Sequence, residues 1–172
     1  MRRLVFCLIA SALVAACLGA PLPARAQSND EKAISALEDH FAAAVNAKDV
    51  DAIMKVYVPG NDLFVFDVSV PRQYVGWDAY KKDWRDFLAL YRGPVKFTIS
   101  DLSVMSDGKL AYSHSIQSVS GTGTDGSSMD IVVRVTDVYR KIDGKWLIVQ
   151  EHISVPIDFS QGRMVPDTMS KP

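Results

Sequence analysis

The sequence predicts a single α+β domain in which helices precede a set of long antiparallel strands. Apolar residues recur at helical spacing over the first half of the chain, as far as Pro94. Beyond Pro94, apolar and polar residues alternate with a period of two, and two Asp-Gly dipeptides separate the alternating runs. A curved sheet covered on one face by helices buries both kinds of apolar stripe.

The N-terminus has the organisation of a bacterial signal peptide. Arg2 and Arg3 form a charged start, residues 4–18 are apolar, and Ala24-Arg25-Ala26 matches a cleavage site. The apolar run is too short to span a bilayer before two prolines interrupt it. We therefore expect cleavage after residue 26 and a periplasmic or secreted protein.

The expected division is a signal peptide at residues 1–26, a domain at 27–158 and a tail at 159–172. An alternative is a lipoprotein, because Val14-Ala15-Ala16-Cys17 resembles a lipobox and would leave a lipidated Cys17 anchored in the membrane. Both cysteines, Cys7 and Cys17, lie in this segment. The domain must then be held together by its apolar core and not by disulfides.

The charge of the expected mature chain is mildly acidic. Removal of three arginines leaves sixteen basic and twenty acidic residues, a net charge of −4. This balance argues against nucleic acid or an anionic membrane as the partner.

Three helices are predicted before Pro94. Ser28 and Glu31 form a capping box ahead of an apolar stripe that ends near Lys48. Asp49 caps a short second helix that stops at Pro59-Gly60. The third helix ends at Gly93-Pro94. Its stripe consists of Trp77, Tyr80, Trp84, Phe87, Leu88 and Tyr91.

The predicted strands are one short strand and four long ones. The short strand covers residues 63–67, between the second and third helices. Asp107-Gly108 and Asp143-Gly144 are predicted two-residue hairpin turns. The long strands cover residues 95–106, 110–120, 129–141 and 145–154.

The order of elements and the last hairpin resemble one superfamily. The run T-D-V-Y-R-K from Thr136, D-G-K-W from Asp143 and Q-E-H-I-S-V-P from Gln150 look like the terminal hairpin of SnoaL-like proteins. The resemblance extends over residues 30–158 and includes the association domain of calmodulin-dependent kinase. It implies the cone of the nuclear transport factor 2-like (NTF2-like) fold, with three N-terminal helices packed on a curved, mainly antiparallel sheet.

The resemblance also implies a function. It points to a small, largely apolar molecule held in a cone-shaped pocket, and to a cofactor-independent isomerase or lyase if the protein is an enzyme. The alternative is a non-catalytic scaffold that forms a homodimer, as relatives do through the sheet. Many relatives have His-x-His in the last strand, whereas here Gln150 precedes His152.

His114 is a candidate general base. If Asp107-Gly108 is a two-residue turn, Asp101 falls opposite His114, and a carboxylate can orient and activate an imidazole. The alternative is a structural His–Asp pair on the sheet surface.

A second candidate cluster follows from the other hairpin. Counting through Asp143-Gly144 places Asp137 opposite Gln150 and predicts a polar cluster that shares one face with Trp146. Its members are Asp137, Tyr139, Gln150 and the candidate catalytic residue His152. A β-bulge would shift this count by one residue and exchange the faces.

Three further residues are expected at the pocket. Asp67 ends the short strand, and a steroid isomerase-like mechanism would give such an aspartate the role of base. Tyr80 and Trp84 belong first to the core and are also expected to line the cavity. Glu151 and Arg134 fall on one face and are expected to form a structural ion pair.

Neither a metal nor a cofactor is expected. The three histidines are not at ligand spacing on one element. Residues 121–126 match G-x-G-x-x-G, but a dinucleotide site needs this motif between a strand and a helix, and here strands lie on both sides.

Overall fold

The structure is a computed structural model that describes residues 27–160 and 163–164. The predicted signal peptide, its cleavage site and the lipobox at Cys17 lie outside the described residues. Of the helices within these ranges, none combines the length and apolar character needed to cross a bilayer.

The three predicted helices are present. Helix α1 spans Asn29–Asn46, and the predicted capping box is confirmed, since Ser28 and Glu31 each bond the other's backbone N–H. Helix α2 spans Val50–Ile53 and is capped by Asp49, whose carboxylate accepts from Ala52 N. Single 3₁₀ turns at Met54–Val56 and Gly60–Asp62 continue the chain to the first strand, and α3 spans Trp77–Ala89.

The end of α3 corrects the sequence prediction. The helix stops at Ala89, and Tyr91 already opens the next strand. Gly93-Pro94 therefore lies inside a strand, at an irregularity where the pairing with the neighbouring strand skips from Tyr91 to Val95. Proline is tolerated there because it needs no partner for a backbone N–H.

A six-stranded mixed sheet forms the other layer. Its spatial order is β2-β1-β6-β5-β4-β3, with β1 parallel to β6 and every other pair antiparallel. The strands are β1 Phe64–Phe66, β2 Tyr74–Val75, β3 Tyr91–Ser106, β4 Leu110–Gly123, β5 Ser128–Ile142 and β6 Lys145–Ser154. A separate ribbon, β7 Ile157–Asp158 with β8 Arg163–Met164, reaches into the predicted tail.

The first hairpin turns one residue later than predicted, which shifts the strand pairing by two residues. Asp107 accepts from Lys109 N and Leu110 N, which moves the turn to Gly108-Lys109 and pairs Ser106 with Ala111. Gly108 has φ of 94°, as the first central residue of a type II′ turn requires. In this register His114 pairs with Ser103, and Asp101, at φ 54°, lies in a bulge beyond that pair. The predicted Asp101–His114 pair is wrong.

The turn of the second hairpin is as predicted, but the pairing of its strands departs from the prediction farther from the turn. Ile142 pairs with Lys145 around Asp143-Gly144. The pairing stays in the predicted register up to Tyr139 and Ile148, and Val149 is then an extra residue. This bulge places Glu151, not Gln150, opposite Asp137 and exchanges the faces of the last residues of β6.

The core lies between the helices and the inner face of the sheet. Aromatic rings from α1, α3 and β3 meet edge to face around Phe41, which contacts Tyr57, Trp84 and Phe97. Each such arrangement contributes beyond the area it buries. The inner face of the sheet also buries several polar side chains, which form the site described next.

Candidate functional site

A cavity of about 790 Å³ opens between the helices and the sheet. One wall is the loop that joins β1 to β2, another is α3, and a third is the inner face of strands β3 to β6. Its lining is mostly apolar and includes Trp84, Phe87, Phe97, Val119 and Ile131. A volume of this size suits a small organic molecule.

Glu151 is the buried carboxyl on the cavity wall. It is 3% exposed and reaches the wall because the Val149 bulge turns it inward. Tyr57 donates to Glu151 Oε2 at 2.7 Å, and Tyr80 donates to Oε1 at 2.5 Å. The two hydroxyls come from the segment after α2 and from α3, so groups from two other parts of the fold fix the carboxyl that β6 carries.

The surroundings of Glu151 bring its pKa close to neutral pH. Burial raises the pKa of Glu151 to about 7, and the hydrogen bonds from Tyr80 and Tyr57 oppose that rise. Burial and the negative charge of Glu151 raise the pKa values of both tyrosines well above their ordinary value. The tyrosines therefore remain donors, while Glu151 can either accept or give up a proton.

Behind Glu151 lies a second group of buried acids. Tyr139 donates to Glu38 Oε1 at 2.6 Å, and Ser113 Oγ lies 2.8 Å from Tyr139 Oη. Ser113 and Tyr139 also approach Asp137 Oδ2 at 3.4 and 3.5 Å. No N–H or hydroxyl of the described chain reaches Asp137 Oδ1, and the carboxyl beside it is that of Glu151, its partner across the strands.

Burial favours the protonated form of these acids. Burial, followed by repulsion from Glu151 and Glu38, raises the pKa of Asp137 well above its ordinary value. Burial likewise raises the pKa of Glu38 to about 7, against the hydrogen bond from Tyr139. Three carboxyl groups in one dry region cannot all ionise, so the cluster stores protons next to the cavity.

Some predicted site residues are at the cavity. Asp67, Tyr80 and Trp84 line it. Asp137 and Tyr139 lie on the same inner face but behind the wall, where both are fully buried. Two of the four residues of the predicted polar cluster, Asp137 and Tyr139, therefore lie on the inner face.

The other predicted site residues lie on the opposite face of the sheet. His114 and His152 are exposed, and both are paired in register with Thr136 of the strand between them. The His152 ring packs on Phe66, and Gln150 also points away from the cavity. Asp101 is exposed in its bulge. The geometry thus separates both histidines from the cavity.

The two glutamates were not predicted as site residues. Glu151 was assigned to an ion pair with Arg134, but Arg134 is exposed on the outer face and Glu151 faces inward. Glu38 sits one turn from Ile34 and Phe41 on the buried face of α1. The sequence could have indicated Glu38 as a site residue, because a charged residue inside an apolar stripe is rarely buried without a partner.

The charged groups around the cavity are mainly acidic. Its lining includes Asp67, Asp83, Asp86 and Glu151, and Lys82 is the only basic residue among the lining residues that the structure describes. Lys82 is paired with Asp86. Within residues 27–160, no three His, Cys, Asp or Glu side chains are grouped as a metal site requires.

Known protein structures share this fold. An NTF2-like protein from Pseudomonas putida KT2440 is 28% identical, with a TM-score of 0.72 over 82% of this chain and 96% of its own. A proposed calcium/calmodulin-dependent protein kinase II association domain from Xanthomonas campestris is 26% identical, with a TM-score of 0.63 over 78% and 91%. A protein from Streptomyces avermitilis, proposed to be a dehydratase of the NTF2-like family, is 15% identical, with a TM-score of 0.65 over 75% and 97%.

Sequence comparison identifies the family. No curated protein matches the chain at a significant level. The profile of the SnoaL-like domain, however, matches residues 34–158, which is most of the chain and nearly all of the described fold. The protein therefore belongs to the SnoaL-like family of the NTF2-like superfamily.

Proposed function

We propose that the cavity binds a small, largely apolar molecule and that Glu151 exchanges a proton with it. The observation that carries this proposal is a buried carboxyl on an apolar cavity wall, held by Tyr57 and Tyr80 and poised near pH 7. A group with that pKa suits acid–base catalysis at neutral pH. The proposed dehydratase assignment of the Streptomyces avermitilis relative agrees with chemistry of this class.

The proposed step is proton transfer at carbon. The Glu151 carboxylate removes a proton from a carbon next to a carbonyl group, and the electron pair of the broken C–H bond moves toward the carbonyl oxygen. The protonated Glu151 then returns the proton to the same or a neighbouring carbon, which gives exchange or isomerisation without a cofactor. Tyr57 and Tyr80 keep the carboxyl in place during both transfers.

Deuterium exchange tests this proposal. The probe is 2-tetralone, an apolar bicyclic ketone with acidic C–H bonds, incubated with the protein in D₂O and followed by NMR. We expect the wild type to accelerate exchange over buffer and Glu151→Gln, which keeps size and shape, to lose that acceleration. Removal of a general base typically costs about 10²- to 10⁴-fold.

The histidines of the outer face supply the control. His114→Ala and His152→Ala should exchange as the wild type does, because both side chains are exposed on the face away from the cavity. Full exchange by Glu151→Gln, or loss of exchange in either histidine variant, would contradict the proposal.

A second candidate function is a dimeric scaffold. The outer face of the sheet exposes Phe66, Met105, Leu110 and Tyr112, each between 38% and 49%. Exposed apolar groups on one face of a sheet favour association. We propose that two copies pair through this face, which leaves both cavities free.

Sedimentation equilibrium tests the dimer. The wild type should sediment at twice the monomer mass at micromolar concentration, and Tyr112→Asp should sediment as a monomer. Phe159→Asp, at an exposed aromatic residue outside the six-stranded sheet, is the control. A monomeric wild type would rule out the pairing.

We also propose export through the predicted signal peptide. Intact-mass spectrometry of the protein from the periplasm should give a chain that starts at or near Gln27. A diacylglyceryl adduct on Cys17 would show the lipoprotein alternative instead.

A further inference from the structure

Gln117 is a buried polar side chain on the cavity wall without a partner. It lies on β4, is 7% exposed, and lines the cavity. Its side-chain amide makes no hydrogen bond to any residue in the described ranges. No atom of this amide is both fully buried and unpaired, so the amide opens on the cavity. The free amide of Gln117 is therefore placed to meet a group inside the cavity.

The other polar groups of the inner face do not share this property. Ser113 and Asp137 are engaged with Tyr139 in the acid cluster, and Glu151 is held by its two tyrosines. Ser115 has an unpaired hydroxyl, but it does not line the cavity. Gln117 thus differs from its neighbours in facing the cavity with its hydrogen-bonding capacity unused.

Gln117 and Glu151 lie at separate places along the cavity. Glu151 pairs with Asp137 and Gln117 pairs with Val133, four residues apart on the shared strand β5. Four residues along a strand and two strand spacings across the sheet put their Cα atoms about 16 Å apart. Val133 and Ile153, which line the cavity beside them on the same face, are apolar. A molecule that reaches both groups must be elongated.

The charge of the lining restricts the molecule further. The acidic residues Asp67, Asp83 and Glu151 face the cavity, and Lys82 is already paired with Asp86. A ligand carboxylate would lose its hydration without gaining a free cation among the described lining residues, which is unfavourable. The ligand therefore carries no carboxylate or other anionic group.

We infer that Gln117 is a specificity site for the far end of the ligand. It binds a carbonyl or hydroxyl oxygen on an elongated, largely apolar molecule that has no anionic group and whose reacting end lies at Glu151. An amide suits either group, because it can both donate and accept. The inference rests on the proposed function for the position of the reacting end, and it adds the class of molecule that the cavity selects.

Two rigid probes test the inference by isothermal titration calorimetry. 4-Phenylphenol carries one hydroxyl, and 4,4′-dihydroxybiphenyl carries a second at the opposite end. We expect the wild type to bind 4,4′-dihydroxybiphenyl, the two-ended probe, about three- to tenfold more tightly than 4-phenylphenol, because one net hydrogen bond provides a difference of this size. Gln117→Leu should abolish this preference and keep its affinity for 4-phenylphenol. Gln150→Leu, on the outer face, should keep the preference.

The stability of Gln117→Leu gives a second readout. An unpaired amide replaced by an apolar side chain of similar size should leave the urea midpoint unchanged or raised. A lower midpoint would mean that the amide has an internal partner and would overturn the inference. So would an equal preference for the two-ended probe in wild type and Gln117→Leu.

The two proposals fail in distinguishable ways. If Glu151→Gln loses exchange of 2-tetralone while Gln117→Leu keeps the wild-type preference, the specificity site is wrong and the proposed function stands. If neither biphenyl binds to the wild type, the specificity site is wrong, and the proposed function is decided separately by the exchange of 2-tetralone.

Discussion

Replacing Glu151 by glutamine should change how the stability of the protein depends on pH. Because burial raises the pKa of Glu151 in the folded state, the folded protein holds a proton that the unfolded chain releases at lower pH. The protonated carboxyl contributes stability that is complete below the unfolded pKa and is lost as pH rises through the folded pKa. Glu151→Gln removes that dependence.

The structure sets the size of the effect. The pKa rises from 4.5 to about 7, and each unit corresponds to about 1.4 kcal/mol, so about 3.5 kcal/mol is lost in all as pH rises through this range. Any constant cost of the glutamine, such as a weaker bond from Tyr57, is the same at each pH and cancels when pH values are compared. The variant should therefore gain about 3 kcal/mol relative to the wild type between pH 5 and pH 8.

Urea denaturation followed by tryptophan fluorescence measures this difference at pH 5, 6, 7 and 8. Gln150→Ala is the matched control, because it alters the adjacent residue of β6 on the outer face and removes no ionisable group. Parallel curves of unfolding free energy against pH for wild type and Glu151→Gln would refute the reasoning and the assignment of Glu151 as a group that titrates near neutrality.

Three other substitutions have expected outcomes. Trp84→Ala should lower the free energy of unfolding by about 3–5 kcal/mol in urea titrations, since the ring is buried among aromatic neighbours. Asn46→Ala should cost about 1–3 kcal/mol in the same assay, because Asn46 satisfies both the N–H and the carbonyl of Phe97 at the α1–β3 contact. Tyr80→Phe should move the midpoint of the pH–rate profile for 2-tetralone exchange to higher pH, because the lost hydrogen bond no longer lowers the pKa of Glu151; an unmoved midpoint would count against this role.

The elements of the fold were largely predictable because each depends on local chemistry. The capping box at Ser28, the cap at Asp49 and the turn at Asp143-Gly144 involve residues within a few positions of one another. The prediction extended α3 too far because Tyr91 fits two patterns equally well. It continues the apolar stripe of the helix, and it also fits the first inward position of β3. Short β2 was not predicted, since two residues carry no period.

The site was less predictable because its faces depend on register. A bulge leaves no mark in the sequence when the extra residue, here Val149, resembles its neighbours. One extra residue reverses the faces beyond it, so the prediction placed His152 inward and Glu151 outward, the reverse of the structure. Tyr139 lies on the predicted inner face because it comes before the bulge, although it lies behind the cavity wall.

The buried acids are better explained by function than by stability. Glu38, Asp137 and Glu151 occupy positions on the inner faces of α1 and the sheet where apolar residues of similar size would pack without the cost of burying polar groups. Each acid accepts a hydrogen bond from a tyrosine or serine hydroxyl on another element. The arrangement therefore depends on several residues that are far apart in the sequence. Polar residues buried at positions that normally hold apolar ones are typical of functional sites. The cluster meets the cavity at Glu151, which is where a stored proton would be of use to a bound molecule.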